Sequence, residues 1–301
     1  MAVVVTYQPD VDLLAKVIHA LQGQVERVLV FDNASRPFDI SRFMDGIDGL
    51  IVDVRVSPEN VGIAAAINAG FAKAAGLGFT HLLILDQDSI AASDMVEHLL
   101  QAFFTGKPDS APVAAAGPAF VDRKSRVAAP FVRIGPLVNR KLFAGEGEMV
   151  EVDFLISSGT LVPLAVIDNV GAMAEKLFID NVDLEWSFRA RDRGYRLLGV
   201  GSARMEHSIG DSVKTISLFG RSWEVSLHSP VRLYYMTRNR LWLYTRAETP
   251  VFWISQDIPR LLLKLLGMSL LVAPRWRNCR AMWSGMVDAL RGRLGPTPAD
   301  Y

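Results

Sequence analysis

Along the first ninety residues, apolar runs that close on polar residues alternate with stretches of helical spacing. The run "AVVVTY" (residues 2–7) is β-branched and uninterrupted, the pattern of a strand buried on both faces. In "DLLAKVIHALQGQ", Leu13, Leu14, Val17, Ile18 and Leu21 share one helical face. "RVLVFDNAS" reads as a second strand breaking into a polar turn, and "LIVDVRVSPENVG" as a third. The Ala-rich "IAAAINAGFAKAAGLG" reads as a helix stopped by glycine, and "HLLILDQDS" as a fourth strand. This alternation predicts an α/β fold with a Rossmann-like, mostly parallel sheet flanked by helices.

Beyond residue 90, "SDMVEHLLQAFF" predicts an amphipathic helix capped by Ser93, and "VAAAGPAFVD" a strand and turn. Residues 123–148, rich in Gly, Pro and charge, read as an irregular excursion. A strand then leads to a polar turn at Ser157, Ser158 and Gly159. "DNVDLEWSFRARDRGYRLLGVGSARMEH" predicts a helix over about 182–192, Gly194 as its stop, a strand, and a loop carrying His207.

Half of the 301 residues are apolar, so a sizeable core is available. Lys plus Arg and Asp plus Glu both total 32, and no global field argues for nucleic acid. The single Cys279 excludes an internal disulfide and fits a reducing compartment. The N-terminus lacks the basic start of a signal peptide, so a cytoplasmic protein is expected. The charge balance hides an asymmetry: residues 221–301 hold 12 Lys/Arg against 5 Asp/Glu, and five of the six tryptophans. Within them lies the long apolar stretch 251–287, interrupted by Asp257, Arg260 and Lys264, which argues against a bilayer span. Helices lying on an anionic membrane surface fit better. Trp253, Leu261, Leu262, Leu265, Leu266, Leu270, Leu271 and Trp276 would supply the apolar area. Arg260, Lys264, Arg275, Arg277 and Arg280 would supply the charge. A helical pair packed on the main domain, or a homodimer contact, is the alternative.

Asp86 and Asp88 stand at the tip of the fourth predicted strand, where an open α/β sheet places ligand chemistry. Two such carboxylates repel unless a cation joins them. A hard divalent ion, Mg2+ or Mn2+, would in turn suit an oxygen-rich substrate such as a diphosphate; a plain polar turn is the alternative. Asp32 ends another strand and can accept from a pyrimidine N3–H or form an Asx-turn. Asn60 and Gly62 open a helix whose second turn carries Asn68, so backbone N–H groups there face a phosphate or a simple cap. Asp180 and Asp183 share a helical face if the helix reaches that far, and either a general base or acids favoured by the helix dipole explains them. His207 is a third metal ligand or a structural histidine. No Gly-x-Gly-x-x-Gly follows the first strand, so a nicotinamide cofactor is disfavoured.

The ordered set "VVVTYQPD", "VFDNAS", "NVGIAAAINAGF", "LILDQDS", "SSG", "FIDNVDLEWSFRARDRGY" and a following histidine resembles the family 2 glycosyltransferases of GT-A fold, and among them the bacterial rhamnosyltransferases. The resemblance spans roughly residues 3–211 and continues weakly through "YYMTRNRLWL". It implies a nucleotide-sugar donor, dTDP-L-rhamnose by the subgroup, a divalent metal and an inverting displacement onto a lipid-linked or polysaccharide acceptor. The implied layout is a catalytic domain over 1–220, with a nucleotide half to residue 90 and an acceptor half after it, and a helical region over 221–301 on the inner membrane face. Thr6, Tyr7 and Asp32 match nucleobase and ribose positions, and Asn60, Gly62 and Asn68 the nucleotide-lining segment. Asp86 and Asp88 match the metal and diphosphate motif, with Asp88 the direct ligand; His207 matches the late metal ligand, and Ser158 and Gly159 the acceptor-side turn. One departure stands out. Asp180 matches the first acid of the usual pair but Asn181 the second, and asparagine takes no proton, so the base is Asp180 or Asp183. The rival readings are the same fold with a UDP-sugar donor, and a non-catalytic nucleotide-sugar binder.

Overall fold

A computed structural model describes residues 1–37, 46–104, 110–123, 126–207, 212–218 and 221–297, with 212–218 and 221–227 described in their backbone alone. The first half reads β1 (Ala2–Thr6), α1 (Val11–His19), β2 (Arg27–Asp32), β3 (Ile51–Val56), α2 (Gly62–Gly76), β4 (His81–Asp86), β5 (Ile90–Ala91), α3 (Met95–Gln101) and β6 (Val113–Asp122). Then come β7 (Phe131–Arg133), β8 (Arg140–Leu142), β9 (Met149–Val152), β10 (Leu161–Pro163), α4 (Leu164–Val170), α5 (Val182–Asp192) and β11 (Arg196–His207). The hairpin β12 (Ser212–Leu218) and β13 (Arg221–Leu227) precedes α6 (Pro230–Leu243), α7 (Val251–Leu270) and α8 (Arg275–Leu290).

The main sheet runs β3-β2-β1-β4-β10-β6-β11-β5, with β9 also on β11. β1 to β4 are mutually parallel, β10 is antiparallel to both neighbours, and β11 is parallel to β6. Side-chain alternation explains why the first strands are apolar throughout. Val3, Leu29, Phe31, Leu82 and Ile84 point to the face covered by Ile67 and Phe71 of α2 and Trp186 of α5. Val4, Val28, Val30, Leu83 and Leu85 point to the other, under Leu14, Val17 and Ile18 of α1 and Met95 and Leu99 of α3.

The fold corrects three readings. Ser93 does not cap α3; its cap position is Asp94, which makes no side-chain bond there. Residues 123–148 contain the β7–β8 hairpin, whose three-residue strands are too short to show a period. β11 passes a register shift after Val200 and runs on to His207, so this histidine ends a strand instead of lying in a loop. α6 bonds to the main domain, where Asn239 donates to Leu177 O.

Candidate active site

The parallel registers bring three strand tips to one edge. Thr6 pairs with Asp32 and Val5 with Asp86, so the ends of β1, β2 and β4 lie side by side at the point where strand order reverses. Thr6 Oγ1 donates to Asp32 at 2.8 Å, and Ser35 donates to the same carboxylate from its backbone N (2.8 Å) and its hydroxyl (2.6 Å). With three donors and 1% exposure, Asp32 forms the floor of the crevice together with the buried Thr6. Tyr7 is 52% exposed above it, and its backbone N donates to Gln87 Oε1 at 2.7 Å, tying the loop after β1 to the D-x-D.

Asp86, Asp88 and His207 offer ligand atoms that all lie within 4.8 Å of one another. The two-residue strand β5 follows the D-x-D at once and pairs antiparallel with Met205 and Glu206, which draws the end of β11 to the carboxylates. His207 Nδ1 lies 2.8 Å from Ser89 Oγ and 3.4 Å from Asp88. Burial opposes the imidazolium, but the hydrogen bond to Asp88 and the charges of Asp86, Asp88 and Asp122 outweigh it and raise the His207 pKa. Burial raises the Asp86 pKa, against His207 and with Asp88. The His207 shift describes surroundings rich in carboxylate.

The third element is strained. Phe178, Asp180 and Asn181 have φ of 65, 62 and 61°, in the left-handed region that side chains avoid. α6 holds them there. Asn239 Nδ2 lies within 2.9 Å of the carbonyls of Leu177, Ile179 and Asp180, and Arg238 Nη2 donates to Leu177 O at 3.0 Å. Arg232 Nε meets both Asp180 oxygens at 3.3 Å. Asp180 thus precedes the helix instead of sharing its face with Asp183, which occupies the first turn of α5. Asp183 accepts from Leu184 N at 2.8 Å through Oδ1. Burial, with the charges of Asp180 and Asp86 reinforcing it, lifts its pKa to about 6.

The glycosyl transferase family 2 pattern matches residues 1–134. The dTDP-rhamnosyl transferase RfbF of Shigella flexneri is 30% identical over 298 residues, covering 98% of this chain and 96% of its own. The chain belongs to glycosyl transferase family 2. Solved structures agree on the fold. GalNAc-T7 with UDP, GalNAc and Mn2+ superposes with a TM-score of 0.59 at 16% identity, over 97% of this chain and 57% of that one. TarS 1–349 of S. aureus in complex with UDP-GlcNAc gives 0.59 at 14%, over 97% and 80%. The architecture is therefore the GT-A fold expected from the sequence.

In this glycosyltransferase several residues expected to line the site instead build it. The N–H groups opening α2 are already used: Val61 N donates to Asn33 Oδ1, Gly62 N to Asn60 Oδ1, and Ile63 N to Phe178 O. A Cβ on Gly62, at φ 83°, would stand 2.5 Å from Phe178 O, so glycine here permits the approach of the strained segment. Asn68 spends its amide on Met173 and Glu175. Ser158, 1% exposed, accepts from Asp86 N and donates to Ser89 Oγ, so it braces the D-x-D from below and is out of an acceptor's reach. Gly159, at φ 81°, packs its backbone against Pro118 and donates to Ile84 O. Arg232, Arg238 and Asn239 were missed from sequence, although "VRLYYMTRNRLWL" places three arginines and an asparagine in an aromatic helix, a pattern that fits burial as well as solvent.

Proposed function

We propose that the enzyme transfers L-rhamnose from dTDP-L-rhamnose, with inversion, to a hydroxyl of a lipid-linked or polysaccharide acceptor in bacterial surface-glycan synthesis. The full-length likeness to RfbF carries the donor assignment. Two carboxylates and an imidazole within 4.8 Å suit a divalent cation, so Asp86, Asp88 and His207 would hold Mg2+ or Mn2+. Such an ion supplies positive charge opposite the departing diphosphate. Asp183 takes the proton of the acceptor hydroxyl. The acceptor oxygen bonds to the anomeric carbon as the bond from that carbon to the diphosphate oxygen breaks, and the electron pair leaves with dTDP. Asp183 suits the task because its pKa of about 6 leaves it ionised yet basic near neutrality. Asp180 is gripped by Arg232 and orients the segment, and burial, outweighing Arg232, raises its pKa. Asn181 then needs no proton-accepting role. Tyr7 faces the nucleotide, over Thr6 and Asp32.

Nucleoside diphosphate release with a lipid-linked glycan acceptor tests this. Turnover is expected with dTDP-L-rhamnose and not with UDP-GlcNAc or UDP-galactose. Turnover with a UDP-sugar alone reassigns the donor, and binding without turnover for every donor supports the non-catalytic rival.

The C-terminal helices support docking on an anionic membrane face. No helix among the described residues is long and apolar enough to cross a membrane. Leu262, Leu263, Leu266, Leu270, Leu271 and Trp276 are nonetheless exposed on α7, α8 and the turn between them, beside the exposed Arg260, Arg275, Arg277 and Arg280. Trp253 and Leu261 drop out of this face because both are buried, and Lys264 is half-buried. Four arginines at roughly 1 kcal/mol each, added to the apolar ridge, are enough for peripheral binding. Cosedimentation is expected with phosphatidylglycerol vesicles at low salt, and loss of it at high salt. Failure to sediment at low salt, with dimers in solution, would make this face a homodimer contact.

A further inference from the structure

The β7–β8 hairpin carries a feature that the transfer chemistry does not use. Its strands are joined by Ile134, Gly135, Pro136, Leu137, Val138 and Asn139. Turns in water are ordinarily built from Gly, Asn, Asp, Ser and Pro. Here Leu137 is 85% and Val138 71% exposed. The turn is tight, since a Cβ on Gly135 would collide with Val138 O. Basic residues flank it. Arg133, Arg140 and Lys141 are exposed, and residues 131–144 contain no acid. Arg133 and Arg140 pair directly across the hairpin at the last rung before the turn. Arg133 reaches Glu151 only at 4.0 Å, and Arg140 and Lys141 form no ion pair among the described residues. Like charges directly opposite destabilise a hairpin, and an anionic surface relieves that repulsion.

The hairpin is joined to α7. Ile134 packs against the cluster of Phe188, Leu243 and Trp253, and Gln256 Nε2 donates to Gly135 O at 2.7 Å. On α7, Phe252, Gln256, Leu263 and Leu270 follow at steps of four, seven and seven residues, which places them on one helical face. Phe252, Leu263 and Leu270 are exposed. The apolar stripe of α7 thus passes beside the root of the hairpin. A stripe along one helix leaves a protein free to roll about that helix on a surface, and a second contact off the axis stops the roll. We propose that the β7–β8 turn inserts Leu137 and Val138 into an anionic membrane, with Arg133, Arg140 and Lys141 at the level of the lipid head groups. Apolar side chains flanked by basic ones suit that interface. The assignment rests on the docking reading above and extends it from the C-terminal helices to the body of the enzyme.

An environment-sensitive fluorophore on a cysteine reads the two contacts separately. Cys279, the single cysteine, is exposed on α8 and reports on the C-terminal helices. Leu137→Cys in a Cys279→Ser chain reports on the hairpin, and Val138→Cys replaces it if that variant does not fold. With vesicles of equimolar phosphatidylglycerol and phosphatidylcholine, both labels are expected to shift to the blue and to be quenched by doxyl-labelled lipid. In unlabelled chain, Leu137→Asp combined with Val138→Asp should lower vesicle affinity about tenfold or more, the scale of burying one such side chain. Arg140→Gln and Lys141→Gln should each lower it about fivefold. A melting temperature checks that each variant is folded. A blue shift at Cys279 with none at residue 137, or unchanged vesicle affinity in the folded aspartate variant, overturns the proposal and leaves the docking reading standing. No shift at either position refutes the docking reading and this proposal with it. A concentration-dependent shift at residue 137 without vesicles would assign the turn to a second copy of the chain and also overturns it.

Discussion

Asp88→Ala is expected to abolish sugar transfer while leaving the fold intact. The carboxylate lies at the rim of the sheet, half-buried, and shares its site with Asp86 and His207. Removing it from a set of three ligands leaves a cation with one carboxylate and one imidazole. Neutralising a departing diphosphate is worth several kcal/mol, so a loss of about 10³-fold or more in kcat is expected. Metal-dependent dTDP affinity should fall in parallel, and an unchanged melting temperature would show that the loss is local. Excess EDTA should reproduce the effect on the wild-type enzyme, and Mg2+ or Mn2+ should reverse it. Full activity in EDTA would refute the metal assignment.

Asp183→Asn should lower kcat by about 10²–10⁴, the range for loss of a general base, with donor binding retained. The pH profile provides an independent sign. With a pKa of about 6, Asp183 is mostly protonated below that pH and cannot take the acceptor proton. Wild-type kcat/KM should therefore rise with pH through about 6, and the residual activity of Asp183→Asn should lack that limb. Asp180→Asn is the necessary comparison. It removes a partner of Arg232 and disturbs a strained segment, so it should cost less turnover than Asp183→Asn and more stability. The reverse order of turnover would move the base to Asp180.

The first ninety residues were legible because β1, β2 and β4 are single apolar runs buried on both faces. Such runs fix their own ends, and the ends place Asp32 and Asp86 at one edge. Chemistry that depended on chain ends was thus readable, whereas chemistry that depended on partners far along the chain was not. His207 looked like a loop residue because "GVGSAR" breaks the apolar pattern at the register shift that carries β11 onward. The burial of Ser158 was not legible because its polar turn gives no sign that Asp86 N and Ser89 engage its hydroxyl. The left-handed geometry of Asp180, just ahead of the predicted helix, is announced by nothing local; it is imposed by Asn239, 59 residues away. The buried Arg238 and Asn239 escaped for the same reason, since a polar pair in a helix defaults to solvent until its acceptors are known.

The grip of α6 on residues 177–180 also limits how the enzyme can be reassembled. Exchanging C-terminal segments between relatives to redirect acceptor choice would separate Asn239 and Arg238 from the carbonyls they were fitted to. A functional chimera must import the acidic segment and α6 as one cassette, although some fifty residues of chain lie between them. Natural variation in acceptor preference should follow the same rule, with changes in these two stretches inherited together.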